Sequence, residues 1–146
     1  MKTIYTIGFT KKSAETFFEL LRSSGARHLV DVRLHNNSQL AAFTKRDDLR
    51  YFLDRLLGMQ YHEAPLFAPD EAILAEYRAT KDWSRYETAY LRLIGERQAE
   101  DSIAPHILEE GAVLLCSEAE PSHCHRRLAA EYLVQHLDSL AEVKHL

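Results

Sequence analysis

Cys124 stands between His123 and His125, with Arg126 and Arg127 directly behind it, and Cys116 and Glu118 lie only a few residues upstream in AVLLCSEAEPSHCHRR, residues 112–127. Thiolates serve as nucleophiles or metal ligands, imidazole as ligand or proton carrier, and guanidinium as an anion holder. This set is compatible with three chemistries. In the first, an enzyme acts on an anionic, nucleotide-like substrate: Cys124 is the nucleophile, His125 or Glu118 the acid or base, and Arg33 and Arg126 hold the anion beside a helix N-terminus. In the second, Cys116, Cys124 and one of His123 or His125 bind zinc or iron, with Glu118 as a fourth donor, although the spacing contains neither CxxC nor HxxxH. A redox variant joins the two cysteines as a disulfide if their Cα atoms come within about 7 Å. In the third, the protein binds nucleic acid or another protein without catalysis, using Lys45 and Arg46 near Phe43. The enzyme on an anionic small molecule or nucleotide is the expectation taken forward, the metal or redox site is its rival, and nucleic acid has the weakest support.

Plainer roles compete at every position. Cys116 inside an apolar run reads as a small core residue. His125 can simply donate to a backbone carbonyl, and Arg33 can pair with Asp31, Glu118 or Glu120. Tyr61, Trp83 and Tyr86 have the spacing of packing aromatics, and Lys45–Arg50 (KRDDLR) that of a solvated helix start.

The elements that position these residues alternate. Residues 2–8 (KTIYTIG) are β-branched and aromatic and stop at a glycine, which predicts a strand. Ser13 caps a helix with Phe17, Leu20 and Leu21 on one stripe and Gly25 at its end. Residues 28–33 (HLVDVR) repeat the strand pattern, and 34–46 read as a long polar loop of the functional kind. Asp47 or Asp48 caps the next helix, through Leu49, Phe52, Leu53, Leu56 and Leu57 to Gly58. A short strand at 59–62, a proline loop at 63–69 and helices at 70–80 and 83–98 follow, and no element is assigned at 99–110. GAVLLCS at 111–117 has the composition of a central parallel strand. Pro121 or Ser122 opens the last helix, to about His136, and EVKHL at 142–146 is a terminal strand. Strands alternating with helices predict an α/β protein in three layers, its mostly parallel sheet having about five strands.

In such sheets ligands bind beyond the carboxyl ends of the strands. Gly8–Thr10, Arg33, Tyr61 with His62, and Cys116–Glu118 therefore share one rim. His125 and Arg126, in the first turn of the last helix, are expected to overhang that rim without entering the core.

The chain has 146 residues, 46% hydrophobic and 27% charged, with a net charge of −4 and two cysteines. Those figures fit one globular domain spanning 1–146 and argue against broad electrostatic capture of nucleic acid. The run MKTIYTIGF is too short for a signal peptide, and charges interrupt every apolar stretch, so the expectation is a cytoplasmic protein with no membrane partner.

Taken together, TIGF, DVR at 31–33, SQLAAF, QYHEAPLFAP and LLCSEAEPSHCHRR, with VKHL at the end, resemble the bacterial domain of unknown function family 488. The resemblance spans nearly the whole chain in order, and its CSE and CHR elements are the specific ones. It implies a small Rossmann-like fold and brings no activity with it. As motif positions it implies Arg33, Ser38, Tyr61, Cys116, Glu118, Cys124, His125 and Arg126, with Arg33, Arg126, Ser38 and Tyr61 on the anion-binding side. Phe9 and Thr10 replace the histidine and serine that often follow TIG, and Leu34 and His35 stand where proline often follows DVR.

Overall fold

The computed structural model describes residues 2–118, 122–137 and 141–146. Its five strands are β1 (Lys2–Gly8), β2 (His28–Asp31), β3 (Gln60–Glu63), β4 (Ala112–Cys116) and β5 (Ala141–His145), all parallel in the order β3-β2-β4-β1-β5. The helices are α1 (Ala14–Ser24), α2 (Arg46–Phe52, prolonged by a π turn at Leu53–Leu57), α3 (Glu71–Thr80), α4 (Trp83–Glu96), α5 (Pro105–Glu110) and α6 (His125–Gln135).

Strand alternation divides the core. Ile7, Leu29, Val113 and Leu115 pack under Phe17, Phe18 and Leu21 of α1 and Leu49 of α2. Ile4, Val30, Ala112, Leu114 and Cys116 pack on the other face against Tyr90 and Ile94 of α4, Ile107 and Leu108 of α5, and Leu128 and Leu133 of α6. The chain is therefore a Rossmann-like three-layer α/β/α fold. All five residues of β4 are buried, as expected for a strand covered on both faces. The loops leaving β1 and β2 lead to helices on one face, whereas the loop leaving β4, which lies between them, leads to α6 on the other. That divergence opens a crevice at the carboxyl end of β4.

Local chemistry explains where elements start and stop. Ser13 Oγ accepts from the Thr16 N–H (3.1 Å) to begin α1, and Gly25 ends it at φ 73°. β2 stops two residues earlier than the apolar pattern suggests, because the Asp31 carboxylate accepts from the Arg33 backbone N–H at 3.1 Å and bends the chain. Part of the long loop is ordered as a 3₁₀ segment, Gln39–Thr44, in which Ser38 Oγ accepts from the Leu40 N–H. The N-cap of α2 is Lys45, so Asp47 and Asp48 act in its first turn, complementing the helix dipole without capping it. Residues left unassigned in the sequence form the short helix α5, which starts at a proline. The start of α6 is also displaced. Pro121 lies outside the described residues, Ser122 and His123 form a turn, and Cys124 is the N-cap, with extended backbone (φ −136°, ψ 140°).

Candidate functional site

The site is built around the end of β4. Gly8 of β1 sits beside Cys116 in register. It must be glycine, because a Cβ there would lie 1.6 Å from the Glu118 carbonyl oxygen and 2.8 Å from Arg126 Nη1. Arg126 fills the space that Gly8 leaves. Its Nη1 donates to the Glu118 carbonyl at 2.5 Å and lies 3.5 Å from Cys116 Sγ, and its Nε donates to Thr6 Oγ1 at 3.3 Å. The side chain is fully buried. Arg126 thus corrects the expectation of a rim residue overhanging the sheet: it is a buried brace tying α6 to β1 and to the backbone beyond β4. The missing side chain at Gly8 makes the room that lets this first-turn residue enter the fold.

Cys116 and Cys124 are both buried, with their sulfurs joined as a disulfide across Cα atoms 7.6 Å apart. Cys124 sits at the N-cap of α6, where unpaired N–H groups favour negative charge. His125 follows it, and its Nε2–H donates to the Val32 carbonyl at 2.6 Å. That bond leaves Nδ1 as the nitrogen with a free lone pair. Burial lowers the His125 imidazole to about 4; the Val32 hydrogen bond opposes the shift, and Arg126 adds to it. The ring is therefore neutral near pH 7. One donor atom from each of Cys116, Cys124 and His125 falls within 4.8 Å of the others.

These residues form one end of a cleft of about 220 Å³, also lined by Ser117, Glu118 and His123 and, from α3 and α4, by Tyr77, Arg78, Trp83 and Tyr86. Glu118 is exposed at its edge. His123 packs on Trp83, with ring centres 5.0 Å apart, and is not in the group of donor atoms gathered at the two cysteines. Of the two histidines flanking Cys124, His125 is thus the one placed with the sulfurs.

The other expected residues fall elsewhere or are already occupied. Arg33 lines the cleft, but Nε and Nη2 bind Asp31 at 2.8 Å each, while Nη1 and Nη2 bind Thr44 Oγ1 (3.1 Å) and O (2.8 Å). Four of its five N–H groups are taken by these bonds. Of the plainer partners weighed for Arg33, it takes Asp31, and Glu120 lies outside the described residues. Tyr61 donates to the same Asp31 carboxylate at 2.5 Å, and burial with that charge raises its phenol far above the ordinary range. Ser38 is an exposed capping residue of the 3₁₀ segment. Neither Tyr61 nor Ser38 lines the cleft. The anion-binding set Arg33, Arg126, Ser38 and Tyr61 is therefore not assembled at the cleft: both arginines are buried and bonded within the fold, and Ser38 and Tyr61 lie outside its lining. The loop cations are neutralised too: Lys45 lies 3.8 Å from Asp48, Arg46 bonds Asp47 and Glu63, and Phe43 packs on Phe17 and Phe18.

The sequence does not reveal the aromatic wall that lines the same cleft as the cysteines. Trp83 and Tyr86 stack at 4.8 Å and 17°, and Tyr77 closes on both rings. Helical spacing identifies these aromatics only as packing residues. The mixture of half-exposed Tyr77 and Trp83 with buried Tyr86 and Tyr90 marks them as a cleft wall, and that contrast exists only once α3 and α4 are docked.

The model of the family described as Domain of unknown function DUF488 matches residues 13–133. The chain belongs to the DUF488 family. No curated protein and no solved structure matches this DUF488 chain. The matched span includes α1, the Asp31–Arg33 turn, the aromatic wall and the whole of the cysteine site. Among the described residues of this DUF488 protein no helix is long and apolar enough to cross a membrane.

Proposed function

We propose that this protein is a metal-dependent enzyme in which Cys116, Cys124 and His125 hold a transition-metal ion at the floor of the cleft. The observation carrying this reading is the convergence of the three donor atoms within 4.8 Å beside a cleft. Two thiolates and an imidazole suit zinc or iron, and three protein donors with a fourth position facing a cavity is the pattern of catalytic sites. The surroundings agree. His125 donates its other ring N–H to a carbonyl, as metal-bound histidines do, and the Arg126 guanidinium lies 3.5 Å from Cys116 Sγ, a hydrogen-bonding position for a ligand sulfur. The Cα separation of 7.6 Å exceeds the roughly 7 Å beyond which a disulfide ordinarily requires backbone movement, so this backbone suits a bridging ion. Such an ion would supply Lewis-acid polarisation of an oxygen in the cleft. Glu118, the only carboxylate among the described lining residues, is the candidate acid or base.

A second reading has its own support in the bond between the sulfurs. In this reading the pair is a redox centre. Two molecules of a low-molecular-weight thiol reduce it, leaving as their own disulfide while each cysteine sulfur gains a proton.

The test is metal content per chain, by inductively coupled plasma mass spectrometry, on protein purified under reducing conditions without chelator, alongside Cys124→Ser. Near-stoichiometric zinc or iron in the parent and its loss in the variant are expected. A metal-free parent whose two thiols re-form the bridge reversibly overturns the metal site in favour of the redox centre.

A further inference from the structure

The aromatic part of the cleft lining has features that neither a metal ion nor a disulfide requires. Its rings form a graded stack. His123 lies 5.0 Å from Trp83, Trp83 4.8 Å from Tyr86, and Tyr86 6.2 Å from Tyr90 at an interplanar angle of 7°. Burial is graded in the same direction: Tyr90 and Tyr86 belong to the core, Trp83 and Tyr77 are half-exposed, and His123 is exposed. Aromatics recruited only for packing become buried, whereas this wall keeps apolar ring surface turned toward a cavity. Clefts with that lining bind flat apolar ligand parts, which gain both area burial and ring–ring contact.

The charges around the cleft add a second requirement. Arg33 is neutralised by Asp31 and Arg126 lies inside the fold, so neither presents a cation to a ligand. Arg78 does. It is exposed in the last turn of α3, lines the cleft, and has no ion-pair partner among the described residues. His35 pairs with Glu71 at 2.8 Å, which leaves Arg78 as the uncommitted cation and Glu118 as the uncommitted carboxylate on the described lining. A guanidinium at a half-open mouth matches an anionic group carried by the ligand, while Glu118 can accept from a ring N–H.

Size narrows the class further. The cleft, about 220 Å³, falls below the roughly 300 Å³ at which pockets for drug-sized ligands begin, so a single ring system fills it and anything larger must project past Arg78.

We propose that the cleft binds a small planar heteroaromatic ring bearing an anionic substituent, the ring against Tyr77, Trp83 and Tyr86 and the anion on Arg78. This names a substrate class for the site assigned above and rests on that assignment only for its chemistry, since the aromatic rings and Arg78 that hold the ligand are not among the proposed metal donors. Two sources offer such a ligand: a nucleoside monophosphate and a heteroaromatic carboxylate.

Trp83 is the only tryptophan of the chain, so its fluorescence reports the wall directly. The experiment titrates the 146-residue protein, its metal content measured on the same sample, with AMP, GMP, CMP, UMP, orotate, the four uncharged nucleosides and inorganic phosphate. A saturable change in Trp83 emission is expected with at least one ring-bearing anion, with a Kd at or below about 1 mM. In Arg78→Ala that Kd should rise about tenfold, the loss of one charge-assisted contact, while any nucleoside affinity stays unchanged. Saturation by the nucleotides identifies the phosphate source, and saturation by orotate the carboxylate source. No saturable change with any ring-bearing anion overturns the proposal, as does an Arg78→Ala variant with parental affinity or an equal response to inorganic phosphate alone. Binding by metal-free protein upholds the ligand class while the metal assignment fails; metal-loaded protein that binds none of the probes upholds the metal assignment while the ligand class fails.

Discussion

Replacing Asp31 by Asn tests the most heavily bonded part of the rim. Its two carboxylate oxygens receive Arg33 Nε and Nη2 at 2.8 Å each, the Arg33 backbone N–H at 3.1 Å and the Tyr61 hydroxyl at 2.5 Å. Side-chain exposure of the ion pair is 2% for Arg33 and 0% for Asp31. Asn keeps the shape but removes the charge and turns one acceptor into a donor facing guanidinium N–H groups. Removing one partner of a buried ion pair costs about 3–5 kcal/mol, because the remaining charge stays in a poorly solvating interior. For a chain of this size each kcal/mol lowers Tm by roughly 2–4 °C, so the midpoint should fall by about 6–20 °C. Urea unfolding followed by circular dichroism, with Trp83 emission as a second probe, measures the change. The double variant Asp31→Leu with Arg33→Met should recover much of the loss, since it removes both charges together. An Asp31→Asn loss below about 1 kcal/mol would refute the reasoning, as that is the value of a solvated surface pair. Additive losses in the double variant would refute it as well.

Two further outcomes follow from packing and charge. Gly8→Ala places a methyl 1.6 Å from the Glu118 carbonyl oxygen, so the Arg126 brace must shift; thermal unfolding should report a loss of about 3 kcal/mol, and a neutral result would show that the close approach does not exist. His62 is half-buried against His28, whose Nδ1 lies 2.9 Å from His62 Nε2, and burial followed by the charges of His28 and His106 holds its pKa below 6.5. The unfolded chain therefore binds this proton more readily than the fold does. Stability is complete above about pH 6.5 and declines as pH falls through the lowered folded value. Unfolding midpoints between about pH 8 and pH 5 should show that decline, reduced in His62→Gln; equal slopes in the two proteins would assign the effect to another group.

Much of the fold is legible in the sequence because its signals are local. β4 is a purely apolar run, α1 carries a serine cap and a terminal glycine, and the strand–helix alternation leaves few topologies open. What escapes the sequence depends on contacts between distant segments. Pro121 and Ser122 look like helix openers and put the start of α6 three or four residues early, while Cys124 makes no side-chain cap hydrogen bond that would advertise it. Its place in the first turn of the helix puts Arg126 at the rim; the clue to its burial is Gly8, a strand-end glycine more than a hundred residues away whose missing side chain makes the room. α5 is too short to show a period. The cysteine and histidine cluster is visible as composition, but the exclusion of His123 from it requires the position of Trp83.

The sheet also sets an order of assembly. β1 precedes the other four strands in the chain, yet its neighbours are β4 and β5, paired through Ile4 with Ala112 and Lys2 with Ala141. On the ribosome, α1 and α2 emerge with their apolar faces ready while β1 has neither of its neighbours and β2 still lacks β4. Closing β1 into the sheet joins segments more than a hundred residues apart, so the entropic cost of loop closure falls late. A nascent chain stalled before residue 112 has no central strand to organise it. Such a chain exposes β1 and β2 as open edges, the form most prone to associate with other chains and the form that chaperones recognise.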